Sequence, residues 1–132
     1  AIFAKVLVAT GIGGAVADAL HSTGLPLMLL GFLLTMLIRA VQGPTTVALI
    51  TVGCVLAPYV AQAGLNPSQM ALLCLAMGSS GIAVSHVNDP GFWIVTRLIG
   101  LNVRDGLKTW TVATTIAGLT GFAAALSLWQ FV

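Results

Sequence analysis

Ser85-His86-Val87-Asn88-Asp89-Pro90-Gly91 interrupts an apolar run that begins near Met70 and resumes as Phe92 to Ile99. Proline lacks the N–H a helix needs and glycine relaxes the backbone, so this segment ends one helix and starts another. Gly78-Ser79-Ser80-Gly81 is expected to loosen the run just ahead of it. Residues 69–100 therefore read as one broken transmembrane helix, unwound in its middle and ending at Gly100. A second interruption lies upstream. Arg39-Ala40-Val41-Gln42-Gly43-Pro44-Thr45-Thr46 sets a charge, a Gly-Pro breaker and two hydroxyls between the apolar runs Leu25 to Ile38 and Val47 to Ala63. The first run gives only about 21 Å of helix before Arg39, short of a ~30 Å hydrocarbon core. Residues 25–63 accordingly read as a re-entrant hairpin, two half-helices meeting at a polar tip.

The surroundings of these breaks identify the solvent. The chain is 58% hydrophobic and 6% charged, with a mean hydropathy of +1.07, where a soluble domain carries roughly a quarter charged residues. Its charges are Lys5, Asp18, Arg39, Asp89, Arg97, Arg104, Asp105 and Lys108, leaving long stretches with no group that needs water. The expected solvent is lipid, and the fold class is an all-α integral membrane protein. A net charge of +2 is too small for the basic face that nucleic acid requires. Cys54 and Cys74 lie in apolar runs without a CxxC pair, so they read as buried packing residues, not disulfide partners or metal ligands. Met28, Met36, Met70 and Met77 read as packing or lipid-facing residues. No metal or cofactor is expected. Ala1-Ile2-Phe3-Ala4-Lys5 has neither an initiator Met nor a cleavage pattern, and the chain is expected to begin inside a longer protein.

The clearest full span is Trp110 to Val132, within a last transmembrane helix over 108–132. Trp110 and Trp129 are placed like interfacial anchors, about 28 Å apart along a helix axis. The preceding loop over 100–108, flanked by Arg97 and holding Arg104, Asp105 and Lys108, is cytoplasmic by the positive-inside rule. The hairpin then enters from outside, the broken helix descends, and the last helix ascends to a periplasmic or extracellular C-terminus. Residues 1–20 form an arm or tilted helix. Together, 1–132 make a single membrane domain.

Backbone freed from helix inside a bilayer must be satisfied by protein, water or ligand. Two breaks with polar clusters suggest a transport site, where half-helix N-termini and hydroxyls receive an anionic substrate. The plain alternative is a pair of proline and glycine kinks eased by neighbouring helices. Arg39 could attract a carboxylate, or could snorkel or pair with a protein carboxylate. Asp89 could exchange a proton or cap the half-helix that begins at Pro90. His86 could relay a proton or serve as a structural imidazole. Ser85, His86 and Asp89 also supply the residue types of a hydrolase, but adjacent side chains point apart and no oxyanion-hole motif stands beside them, so no enzyme is expected. Gly118, Gly121, Ala124 and Ala125 could allow close helix approach.

Gln42-Gly43-Pro44-Thr45-Thr46-Val47-Ala48 and Ser85-His86-Val87-Asn88-Asp89-Pro90-Gly91-Phe92-Trp93 resemble the gluconate permease family of sugar-acid/proton symporters, the second motif being the more specific. Leu107-Lys108-Thr109-Trp110-Thr111-Val112 and Val6-Leu7-Val8-Ala9-Thr10-Gly11-Ile12-Gly13 are similar to it as well, so the resemblance covers nearly the whole chain. It matches the C-terminal portion of a full member. The resemblance implies membership of the wider ion-transporter superfamily and one repeat of an inverted-repeat transporter: re-entrant helical hairpin, discontinuous transmembrane helix, one full transmembrane helix. It also implies a homodimer of the full-length protein. Carried over residue by residue, substrate contacts fall on Gln42, Gly43, Thr45 and Thr46 at the hairpin tip and on Ser85, His86, Asn88 and Asp89 at the break, with Arg39, His86 and Asp89 in charge or proton roles. The expected function is secondary active transport of gluconate or a related hydroxy-carboxylate across the bacterial inner membrane, coupled to protons. The alternative is a sodium-coupled or exchange transporter for another organic acid. Partners are the carboxylate, protons and the lipid bilayer.

Overall fold

The computed structural model describes residues 24–132, together with 18, 19 and 22. The arm or tilted helix expected over 1–20 otherwise lies outside the described residues. Every regular element of 24–132 is helical: α1 (Leu27–Gln42), α2 (Thr45–Ala63), α3 (Pro67–Ile82), α4 (Pro90–Ile99) and α5 (Val103–Trp129).

Local chemistry sets most boundaries. α1 ends where Gly43 turns to φ 92° and Pro44 withholds an N–H. α2 and α4 each end on a left-handed glycine, Gly64 and Gly100. Asn66 opens α3 with a capping box: its side chain accepts from the Gln69 amide at 2.8 Å while Gln69 Oε1 receives the Asn66 amide at 3.1 Å. Pro67 occupies the first helical position. At the head of α5, Asn102 accepts from the Asp105 amide at 2.9 Å, and Asp105 lies in the first turn, where the helix dipole favours an anion.

Two boundaries differ from the sequence reading. Gly78-Ser79-Ser80-Gly81 stays helical in α3, and the break begins only after Ile82. Ser79 and Ser80 turn their hydroxyls onto the Leu75 and Phe32 carbonyls instead of loosening the helix. Likewise Arg104, Asp105 and Lys108 sit within α5 and not in a loop, because the Asn102 cap starts the helix five residues before 108. Cys54 is half-buried and Cys74 exposed. The buried stripe of α3 runs through Leu72, Leu73, Ala76, Met77 and Ser80, and Cys74 falls between its turns on the other face.

The helices pack in a consistent order. α1 and α2 form an antiparallel hairpin, reversing at Gly43-Pro44 and bringing Gly31 against Leu56. α3 runs alongside, parallel to α1 and antiparallel to α2: Gly31 meets Leu73 and Met77, and Gly81 meets Thr45. α5 is antiparallel to both α3 and α4, with Gly118 and Gly121 set against Ser79 and Ala83, and Gly106 against Phe92 and Thr96. α3 and α4 therefore run in the same direction along α5, separated by residues 83–89. The apolar core, including Met28, Val52, Leu56, Leu73, Ala76 and Met77, lies toward the end holding the start of α3 and the end of α5. Two helices, Thr45–Ala63 and Val103–Trp129, are long and apolar enough to cross a membrane. The outer faces carry large exposed apolar residues such as Leu37, Ile50, Leu75, Ile94, Leu98 and Ile116.

Candidate functional site

The hairpin tip and the helix break meet. Asn88 donates its side-chain amide to the Val41 carbonyl at 2.6 Å, taking up one of the orphan carbonyls at the end of α1. Gly43 lies so close to the same residue that a β-carbon there would stand 2.1 Å from the Asn88 carbonyl oxygen. Only glycine fits that position, on grounds of space and of its positive φ.

Behind this junction sits Arg39, in the last turn of α1 and buried. Its Nη2 donates to Asp89 Oδ2 at 2.8 Å, an ion pair across fifty residues of sequence. Its Nε is directed at the Gly81 carbonyl and at Thr45 Oγ1, 3.2 Å away. Thr45 in turn donates to the Gly81 carbonyl at 2.6 Å. The break leaves that carbonyl without a helical partner, so α1 and the first residue of α2 close the end of α3.

Asp89 caps α4. Its Oδ1 accepts from the Gly91 amide at 3.0 Å, with Pro90 at the first helical position. Its Oδ2 receives the Ser85 hydroxyl as well as Arg39. The cap expected of Asp89 and the carboxylate pairing expected as one alternative for Arg39 are thus met by one side chain. Ser85 is buried and accepts from the Trp110 indole N–H at 3.0 Å. Thr111 donates to the Ser85 carbonyl, and the Val84 amide donates to Thr115 Oγ1 at 3.3 Å. Val84 holds φ 55°, a left-handed conformation rare for a β-branched residue, and these bonds from α5 hold it there. Part of the freed backbone is satisfied by protein side chains: the Val84 amide by Thr115, and the Gly81, Ser85 and Val87 carbonyls by Thr45, Thr111 and Trp93.

Of the residues singled out beforehand, the structure brings together Gly43, Thr45, Ser85, Asn88, Asp89 and Arg39. His86 is half-buried, with Nδ1 3.0 Å from the Val84 carbonyl. It braces the turn and does not face Ser85, whose hydroxyl bonds Asp89. Gln42 and Thr46 are exposed at the tip and make no side-chain hydrogen bond among the described residues. The sequence reading missed the Gly81 carbonyl, Trp110, Thr111 and Thr115. Trp110 was taken for an interfacial anchor, yet it is half-buried with its indole N–H inside the cluster. The i, i+4 pair Thr111 and Thr115, which shares one helix face, was the available signal for that face.

The cluster thus presents a buried cation, a carboxylate, a hydroxyl and two helix ends pointed at one another, an arrangement suited to receiving a small polar anion within an apolar body. Among the described residues no group of His, Cys, Asp and Glu is arranged to hold a metal ion.

Comparison with known proteins gives this arrangement a context. The model of the GntP family permeases matches residues 1–132. The inner membrane permease YgbN of Escherichia coli K12 is 48% identical over 131 residues, covering 99% of this chain and 28% of that protein. The low-affinity gluconate transporter of the same organism is 37% identical over 129 residues, 98% of this chain and 29% of that protein. The Gnt-II system L-idonate transporter, also from E. coli K12, is 35% identical over 126 residues, with 96% and 28% covered. The chain thus spans less than a third of the length of these relatives. No solved structure matches. The relatives are permeases and transporters, not enzymes, which removes the hydrolase reading of Ser85, His86 and Asp89.

Proposed function

The chain belongs to the GntP permease family, and from that premise we propose that it is the C-terminal part of a secondary active transporter that imports gluconate or a related sugar acid across the bacterial inner membrane, coupled to protons. The observation that carries this reading is the junction of hairpin tip and helix break around the buried Arg39–Asp89 pair. A scaffold helix has no use for two interruptions that meet over a cation, whereas an anion carrier does. The names of the relatives supply the substrate class, gluconate in one and L-idonate in another, both hydroxylated monocarboxylates.

In this reading the hairpin over 25–63 is re-entrant, α3 and α4 are halves of one discontinuous transmembrane helix, α5 spans the bilayer, and the unit is one of two inverted repeats in a homodimeric protein. Exposed Arg97, Arg104 and Lys108 gather at the α4–α5 turn, which supports a cytoplasmic placement of that end and a periplasmic C-terminus. Thr45 and Ser85 supply hydroxyls to the substrate, and Gln42, Gly43, Thr46, His86 and Asn88 line the approach.

The test is uptake of labelled gluconate by the full-length parent protein in proteoliposomes, with and without an inward proton gradient, and with sodium replaced by choline. Gradient-driven uptake in choline is expected. Uptake that requires sodium would move the coupling ion. No uptake by folded protein under any condition would sink the substrate assignment.

A further inference from the structure

Resting on the transport reading, we propose that Arg39 is the anchor for the substrate carboxylate and that Asp89 takes up one proton as that carboxylate binds, because the buried pair offers a single positive charge to two anions. Arg39 is 3% exposed, and one of its terminal nitrogens, Nη1, has no hydrogen-bond partner among the described residues. Its neighbour Nη2 is held by Asp89 at 2.8 Å. Nη1 and Nη2 form the end of a planar fork whose spacing matches the two oxygens of a carboxylate. Asp89 engages one half of that fork, and the other half is buried without a partner among the described residues.

Among the described residues no other charge enters the balance. α2 contributes the Thr45 hydroxyl, α3 the Gly81 carbonyl, and α5 the neutral Trp110 and Thr111. Arg97, Arg104, Asp105 and Lys108 are exposed on α4 and α5, and His86 turns Nδ1 to the Val84 carbonyl. A second carboxylate at Arg39 would leave an excess negative charge in a buried, poorly solvated place, where an uncompensated ion is strongly disfavoured. A proton on Asp89 restores one cation to one anion.

The hydrogen bonds accommodate that proton without stranding a group. Ser85 now donates to Asp89 Oδ2 and accepts from Trp110. A hydroxyl oxygen has two acceptor positions, so protonated Asp89 donates back to Ser85 while the Trp110 bond is kept. The Ser85 proton and Arg39 Nη2 are then both released, and with Nη1 they make three donors for the incoming carboxylate. Gly91 keeps its bond to Oδ1. Trp110 is the positioning residue that holds the Ser85 oxygen in place for this reversal.

The experiment is titration calorimetry of gluconate into the full-length parent protein in detergent, repeated in two buffers of different ionisation enthalpy and across a pH series. The wild type is expected to take up about one proton per gluconate, with Kd weakening about tenfold per pH unit where Asp89 is ionised in the empty site. For Asp89→Asn the proton count is expected to fall to none and the pH slope to vanish. Arg39→Gln is expected to lose gluconate binding at every pH. The wild-type count stands without any variant, should Asp89→Asn fail to fold. Gluconate binding with no proton uptake would overturn the inference and leave the transport reading intact. Uptake of a proton unchanged in folded Asp89→Asn would overturn it too. Absence of gluconate binding by folded wild type would sink the transport reading itself, and the inference with it.

Discussion

Gly43 and Gly78 show how differently two glycines in one chain are constrained. At Gly43 a β-carbon would stand 2.1 Å from the Asn88 carbonyl oxygen, and φ is 92°. At Gly78, within α3, a β-carbon meets nothing within 4 Å. Gly43→Ala is therefore expected to destabilise the full-length protein by at least ~1 kcal/mol, through backbone strain and displacement of the tip from the break. Gly78→Ala is expected to be neutral or stabilising by up to about 1 kcal/mol, since alanine favours helix. Thermal unfolding of the two variants in detergent separates these outcomes, and equal melting temperatures would refute the proposed fit of tip to break. The sequence shows why such residues are legible only in part. Gly43 was marked by its Gly-Pro pair, but Trp110 was misjudged, because an aromatic at a span end and one reaching into a site look alike until the neighbouring element is placed. The Gly81 carbonyl carries no sequence signal, since every residue has one.

Helices within a bilayer gain little from apolar burial alone, because lipid is as apolar as leucine, so close backbone approach has to hold them together. α5 meets α3 through Gly118 and Gly121, where an added β-carbon would lie 2.6 Å from Ala83 Cβ and 2.6 Å from Ser79 Oγ respectively. Ala125 continues that face and is buried, while Ala124 points outward. Gly118→Val is expected to separate the helices and lower the yield of folded protein severalfold, whereas Ala124→Val leaves it within twofold, as read by fluorescence-detected size exclusion of a tagged protein. An equal loss in both would remove the distinction between the faces. The helices themselves were readable from apolar runs and Gly-Pro punctuation. The exact break was not: Gly78-Ser79-Ser80-Gly81 has loop composition, but the segment stays helical, with Ser79 against α5, the Ser80 hydroxyl on the Phe32 carbonyl of α1 and Gly81 against Thr45 of α2. The early start of α5 was hidden for a similar reason, as its first turn is charged and reads as loop until the Asn102 cap is recognised. Asn66→Ala, which removes the side-chain acceptor for the Gln69 amide and leaves the backbone bond from residue 66 to Gln69 Oε1, is expected to cost about 1 kcal/mol in the same unfolding measurement.

At the scale of the whole molecule, the site lies well inside the apolar body. Trp110 to Thr115 stand about 10 to 18 Å along α5 from its charged start, with more than 20 Å of helix beyond them. Among the described residues the charged side chains outside the site gather at the α4–α5 end and on the segment before α1, while the apolar faces are left uncovered. Expressed on its own, the chain is expected to stay with the membrane fraction through an alkaline carbonate wash and to need detergent for release. Recovery in the wash would contradict a bilayer-embedded fold. α5 also has a mechanical consequence. It grips α4 through Gly106 and α3 through Gly118 and Gly121, on either side of the interruption, and its threonines bond the interrupted backbone itself. The fracture is splinted. The two pieces cannot pivot about it separately without shearing off their common rod, so in the transport cycle we propose, α3, α4 and α5 move together as one rigid cargo.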